Sequence, residues 1–142
     1  MEVGQKNNIT IQALIGAPVQ LVWEKWTNPG DIVKWNTASD DWHTTKSEND
    51  VRTGGSFNSR MEAKDGSFGF DFYGKYDLVV ENQLLEFTLG DNRKVIVTFQ
   101  SAEGQTLIVQ TFEAENENPL ELQRSGWQSI LDNFKKYTEN SL

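Results

Sequence analysis

The sequence predicts a single α+β domain over residues 1–142, in which a curved antiparallel sheet of about six or seven strands packs against a long C-terminal helix. Six consecutive segments between residues 42 and 112 have strand-like composition and short connecting turns, as in an antiparallel meander. The C-terminal segment has one apolar helical face, and two short helical segments follow the first strand. A sheet with one face covered by a helix is a two-layer domain.

The first three elements are a strand and two short helices. Residues 9–15 alternate in polarity and are rich in β-branched side chains, which predicts a strand. Pro18 suits the first position of a helix, and Trp23 and Trp26 lie on the apolar face of the turns that follow. A second short helix is predicted to begin after Asn28, a good N-cap residue that precedes a proline.

The middle of the predicted sheet contains a turn signal followed by alternating aromatic residues. The dipeptide at residues 65–66 is Asp-Gly, a strong hairpin signal. Strand side chains alternate between faces, so Phe70 and Phe72 share one face and Asp71 lies on the other. We expect Asp71 to be solvated, because an unpaired buried carboxylate is costly. Residues 105–113 have apolar side chains on both faces, so their pattern leaves open which face points inward.

The C-terminal helix is predicted to run from Pro119 to about residue 139, with Asn118 as its N-cap. Gly126 interrupts this helix beside Trp127, although an interior glycine costs about 1 kcal/mol relative to alanine. The glycine either leaves room at a cavity wall or permits close contact with the sheet, and the sequence leaves both open. The apolar stripe of the helix consists of Leu120, Trp127, Ile130, Leu131, Phe134 and Tyr137.

Composition narrows the classes of function. The formal net charge of -8 disfavours a nucleic-acid partner, because an acidic surface repels phosphates. The absence of cysteine excludes disulfides, zinc–thiolate sites and thiol nucleophiles, and we expect no metal and no cofactor. No apolar run approaches the roughly 20 residues of a membrane span. No signal peptide is evident at the N-terminus, so we expect a cytoplasmic protein.

Three motifs in order resemble one known family and together cover nearly the whole chain. They are "APVQLVWEKWTNPGDIVKW" at residues 17–35, "RTGGSFNSRMEAKDGSFGFDFYGKY" at 52–76 and "SGWQSILDNFKKY" at 125–137. The chain resembles the family named after the activator of the heat-shock-protein-90 ATPase, of the START and birch-pollen-allergen superfamily. It departs from the usual pattern at Asn36, where a second tryptophan is common, and in "ENQLLEF", which lacks the family's proline.

The resemblance implies a helix-grip fold and a binding function. In that superfamily the sheet bends around the C-terminal helix and leaves a cavity, which implies a small hydrophobic or amphipathic ligand. Aromatic and aliphatic residues on the predicted inner surfaces are then the candidate cavity wall. They are Trp35, Phe57, Met61, Phe70, Phe72, Phe87, Phe99, Gly126, Trp127, Ile130, Leu131 and Phe134. His43, Arg60 and Tyr76 are the candidate polar anchors.

Two alternative functions remain open at this stage. Some relatives in the superfamily are cyclases or hydrolases of polyketide-like substrates, and here His43, Asp71 or Tyr76 would supply the acid–base chemistry. A co-chaperone or stress-related interaction protein is the other alternative, and it predicts an exposed apolar patch of several hundred Å². The separate N-terminal chaperone-binding domain of the co-chaperone is missing from this sequence, which counts against chaperone activation and chaperone binding by this chain.

Overall fold

Seven strands and three helices make up residues 7–142, the part of the chain that the computed structural model describes. The strands are β1 Asn8–Ile15, β2 Trp42–Asn49, β3 Ser56–Ala63, β4 Gly69–Val80, β5 Leu84–Leu89, β6 Lys94–Ala102 and β7 Gln105–Glu113. The helices are α1 Val19–Thr27, α2 Pro29–Trp35 and α3 Leu120–Asn140. The α+β helix-grip fold predicted from the sequence is confirmed.

All seven strands belong to one antiparallel sheet with the order β1-β7-β6-β5-β4-β3-β2. From β2 to β7, each strand pairs with the next strand along the chain, because each connection between them is short. The turn between β3 and β4 contains Gly66 at a φ of 78°, a backbone conformation that side chains other than glycine rarely adopt. Strand β1 joins the far edge by pairing with β7, and the sheet curls into a half-barrel over α3.

Helix α3 is attached along its length to edge strand β1. Its polar side chains reach the free backbone groups of that strand: Arg124 donates to the Thr10 carbonyl at 2.8 Å, and Lys135 donates to the Leu14 carbonyl at 2.7 Å. Near the helix C-terminus, the Glu139 carboxylate accepts a hydrogen bond from the backbone N–H that follows β1. These contacts fix one side of α3 and leave its other side facing the central strands.

Strand β7 presents its even-numbered residues to the interior. Thr106, Ile108, Gln110 and Phe112 are buried, whereas the odd-numbered residues between them are partly exposed on the outer face. This orientation settles the question that the sequence pattern left open. It also brings a carboxamide, that of Gln110, to the inner face of the sheet.

The helix starts differ slightly from the predicted positions. Asn28 caps α2 as predicted, since its side-chain oxygen accepts from the Gly30 N–H at 3.2 Å. Pro119 has an extended ψ of 146° and occupies the N-cap position of α3, so the prediction of Asn118 as N-cap is wrong. The Asn118 side chain instead donates to the Glu115 carboxylate at 2.8 Å, within the loop before the helix. Pro18 likewise precedes α1 as its N-cap residue.

The packed core lies where α1 and α2 meet α3. Trp26 and Trp35 each approach Phe134 with ring centroids 4.9 Å apart, and Phe99 packs against Trp23 at 5.1 Å. Phe134 is fully buried, and Phe99 and Leu131 are almost fully buried. Phe99, Leu131 and Phe134 were candidates for a cavity wall, but the structure places them in this core instead. Trp26 of α1 packs on both Phe99 and Phe134, and Leu131 belongs to the same buried cluster.

Candidate functional site

A pocket of about 420 Å³ lies between the inner face of the sheet and the first half of α3. We call it the central pocket; Phe57, Phe72, Gln110 and Trp127 lie on its sides. Nine of the twelve residues proposed from sequence line it: Trp35, Phe57, Met61, Phe70, Phe72, Phe87, Gly126, Trp127 and Ile130. The pocket forms because the core around Phe134 supports α3 at one end, while a glycine reduces the bulk of the helix further towards its start.

Gly126 faces open space at the wall of the central pocket. A Cβ atom built on this glycine would have no heavy atom within 4 Å other than its chain neighbours and the helix's own backbone. Of the two explanations that the sequence left open, close contact with the sheet therefore does not account for the glycine. The missing side chain enlarges the pocket, and the glycine makes the helix less stable than an alanine would.

Trp127 is held rigidly next to that gap. Its ring stacks on Phe112 of β7 with centroids 3.9 Å apart and an interplanar angle of 10°. It also meets the edge of Phe72 of β4 at 6.1 Å. Contacts of this kind orient aromatic rings as well as burying them. Trp127 thus bridges α3 and the sheet and gives the pocket a flat apolar side.

A second group of rings forms the wall on β3, β4 and β5. Phe57 lies 5.9 Å from Phe72, 5.3 Å from Tyr76 and 5.1 Å from Phe87, measured between centroids. Phe57 and Phe72 are only partly buried, although both pack against the core. Their remaining exposed surface faces the pocket, so an apolar molecule there would remove it from water.

Tyr76 is the one predicted polar anchor that lies in the central pocket. Its hydroxyl donates to the Asn49 side-chain oxygen at 2.6 Å, and Asn49 in turn donates to the Thr27 carbonyl at 2.8 Å. Burial raises the pKa of Tyr76 well above its usual value, more than the Asn49 hydrogen bond lowers it. The phenol therefore stays protonated at neutral pH and acts as a hydrogen-bonding group, not as a base.

Gln110 places a carboxamide among apolar side chains at the sheet side of the pocket. The residue is 7% exposed, and its β-sheet partners Ile11 and Val97 are 3% and 0% exposed. Within residues 7–142 no protein group hydrogen bonds to its side chain. By contrast, the buried Gln123 has three hydrogen bonds to the loop before α3, at 2.8 to 3.1 Å. Gln123 is thus structural, whereas Gln110 faces the pocket with its hydrogen-bonding capacity free.

Three charged residues line the pocket, two acidic and one basic. Arg93 donates to the Asp91 carboxylate at 2.7 Å and to a backbone carbonyl of β7 at 3.4 Å. The pKa of Glu115 is lowered by hydrogen bonds from the backbone and side chain of Asn118, and further by the Glu117 backbone N–H and the positive charge of Arg93. This carboxylate is therefore ionised at neutral pH. Glu48 is the third, but its side chain is exposed on the outer face of the sheet, where its carboxylate lies 3.8 Å from the Lys46 ammonium.

The other two predicted anchors lie outside the central pocket. His43 is exposed on β2, opposite Glu62 of β3. Arg60 lies on the outer face of the sheet, 3.0 Å from Glu62 and 3.5 Å from the exposed Asp71. The inward face of β3 carries Phe57, Ser59 and Met61, so Arg60 points outward by alternation. His43, Asp71 and Tyr76 are not brought together, and no acid–base pair forms among them.

Sequence reasoning missed the polar residues that do line the pocket. Arg93 stands two positions before Val95, in phase with the inward row of β6, and this spacing was an available signal. Gln110 and Asn49 carried no such signal, because a polar residue in an alternating strand is normally assigned to the solvent face. Within residues 7–142 no group of three metal-ligating side chains comes together. No helix in this part of the chain is long and apolar enough to cross a membrane.

A curled antiparallel sheet closed by a long C-terminal helix defines a helix-grip domain of the START type. A family profile described as "Activator of Hsp90 ATPase homolog 1-like protein" matches residues 16–139. The chain belongs to this family, as the motifs predicted. A comparison with curated proteins finds no match.

Several solved structures are similar over nearly the whole chain. An AHSA1-like protein from Aeromonas hydrophila shares 45% identity with a TM-score of 0.89, covering 95% of this chain and 94% of that one. A protein from Cytophaga hutchinsonii shares 48% identity with a TM-score of 0.82, covering 94% and 93%. A protein from Chromobacterium violaceum has 21% identity and a TM-score of 0.83, covering 94% and 98%, a likeness of fold alone.

Proposed function

We propose that the protein binds a small, largely apolar molecule in the central pocket. The observation that carries this proposal is Gly126, a helix-interior glycine whose missing side chain leaves open volume at the pocket wall. Selection for stability alone favours alanine at such a position, because alanine would gain about 1 kcal/mol and meet no neighbour. A ligand that needs the volume explains why the glycine is useful.

The size and lining of the pocket support the same proposal. Ligand pockets typically measure about 300 to 1,000 Å³ and combine apolar walls with a few polar groups. The central pocket, at about 420 Å³, is within this range and is lined mainly by aromatic and aliphatic side chains. Partly exposed rings such as Phe57 and Phe72 would gain roughly 25 cal/mol for each Å² that a ligand buries.

Two measurements test the proposal. Native mass spectrometry of freshly purified protein, compared with its denatured mass, detects a molecule retained from the cell. An NMR titration with naphthalene, a probe small enough for the pocket, follows the indole N–H of Trp127. We expect naphthalene to shift this resonance in the wild type, and far less in Gly126→Leu, whose side chain occupies the gap.

The matched control is Gly30→Ala, which changes a helical glycine outside the pocket. This variant should bind naphthalene as the wild type does. A native spectrum without extra mass, together with a Trp127 resonance that naphthalene does not move, would refute the proposed function.

A further inference from the structure

Gln110 is the most anomalous polar residue on the inner face of the sheet. Its sheet neighbours are fully buried and apolar, and its carboxamide has no hydrogen-bonding partner within the described residues 7–142. Its oxygen and nitrogen are not enclosed, since the enclosed side-chain atoms without a partner within residues 7–142 are Asn58 Oδ1 and Thr138 Oγ1. The carboxamide of this 7%-exposed residue therefore keeps its access through the central pocket. A leucine would pack among the same neighbours without leaving a polar group unpaired, so packing alone does not explain the glutamine.

The carboxamide lies on the wall of the central pocket, where a bound molecule can reach it. It offers one acceptor oxygen and two donor hydrogens. The other buried polar groups of the wall are already engaged: Tyr76 donates to Asn49, and Gln123 is bonded to the loop before α3. Gln110 is therefore the deep position where a polar group of a ligand would gain a partner that the folded protein does not provide.

The charges around the pocket favour an uncharged polar group. Arg93 is the one cation that lines the pocket among the described residues, and its guanidinium is already paired with Asp91. An anionic ligand would therefore meet one neutralised cation and the ionised Glu115 carboxylate. A cationic or an anionic group beside Gln110 would also lack a counter-ion, because the neighbours there are aliphatic. Burying an unpaired charge is very costly.

We propose that Gln110 is the hydrogen-bonding anchor of the site, and that the ligand class is an apolar molecule with one neutral group that both donates and accepts, such as a carboxamide. This inference rests on the proposed function and makes it more specific. The apolar part would lie against Trp127 and the rings of β3 and β4, and the neutral group would pair with the Gln110 carboxamide.

Three probes with the same ring system test the inference: naphthalene, 2-naphthamide and 2-naphthoate. Their affinities are measured by NMR titration for the wild type, for Gln110→Leu and for Gln100→Leu. The control residue Gln100 is an exposed glutamine on β6, outside the pocket. The quantity compared is the ratio of 2-naphthamide affinity to naphthalene affinity within each protein, which cancels general effects on the pocket.

We expect this ratio to fall about tenfold in Gln110→Leu, equivalent to about 1.4 kcal/mol, and to stay unchanged in Gln100→Leu. In the wild type, 2-naphthamide but not naphthalene should shift the side-chain NH₂ resonances of Gln110 through a new hydrogen bond. This second readout holds even if the Gln110 variant folds poorly.

The possible failures are distinguishable. If Gln110→Leu binds naphthalene and has the same ratio of 2-naphthamide affinity to naphthalene affinity as the wild type, the role of Gln110 is overturned. The proposed function would still stand. A preference of the wild type for 2-naphthoate over 2-naphthamide would overturn the neutral group in favour of an anion. Absence of binding by all three probes would overturn the proposed function, and this inference with it.

Discussion

Replacing Gly126 by alanine should stabilise the protein and weaken ligand binding at the same time. The added methyl group meets no heavy atom within 4 Å outside its own stretch of helix, so no packing cost opposes the gain in helix propensity. Alanine is favoured over glycine in a helix interior by about 1 kcal/mol. For a domain of this size that gain corresponds to a rise in Tm of about 2 to 5 °C.

The assay is urea unfolding followed by far-UV circular dichroism, with naphthalene affinity measured on the same samples. Gly30→Ala is the matched control, because a Cβ there has only an ordinary contact, 3.7 Å from the Asn28 side chain. Both variants should be at least as stable as the wild type, but only Gly126→Ala should bind the probe more weakly. Stability gained without any loss of affinity would show that the gap is not used for binding.

A loss of stability in Gly126→Ala would refute the reasoning more directly. It would mean that α3 approaches the sheet closely at this position and that the glycine is needed for packing. The sign of the change in unfolding free energy therefore tests whether the space beside Gly126 is open in the folded protein.

Two further predictions concern stability. Tyr76→Phe removes a buried hydrogen bond and leaves its acceptor on β2 unpaired, so we expect a loss of about 1 to 3 kcal/mol in urea unfolding; the exposed Tyr73→Phe should change little, and equal effects would contradict the role of burial. Hydrogen bonds from Lys135 and then from the backbone N–H of Gly16 lower the pKa of Glu139 below its usual 4.5. Glu139 thus contributes stability above about pH 4.5 that is lost as the pH falls through the lower folded-state pKa. Glu139→Gln should be less stable than the wild type at pH 7, and the difference should narrow towards pH 3; a constant difference would argue against this linkage.

Local signals explain why most of the fold could be predicted. The Asp-Gly turn, the alternation around Phe70 and Phe72, and the apolar stripe of α3 each specify an element through the spacing of neighbouring residues. The motifs then specified the order in which those elements pack. The exact start of α3 was harder, because the fixed φ of proline suits both the N-cap position and the first helical turn, and only ψ, which the sequence does not specify, distinguishes the two.

The pocket wall could be predicted only in part, because it depends on distances between elements. Phe99 and Phe134 have the same inward phase as the wall residues, but α1 and α2 close over them. The local sequence contains no signal that α1 and α2 pack over these two residues. Gln110 escaped notice for a different reason: β7 is apolar on both faces, and polarity alone assigns a glutamine to solvent.

The attachment of α3 to β1 also covers one edge of the sheet. An open sheet has two edges, and unpaired edge carbonyls can template strand addition by another chain and lead to aggregation. Arg124, Gln128 and Lys135 occupy the carbonyls of alternate residues along β1, from Thr10 to Leu14. The opposite edge, β2, carries exposed charges at Lys46 and Glu48 instead. The helix that encloses the pocket therefore also blocks one route to intermolecular β-sheet growth.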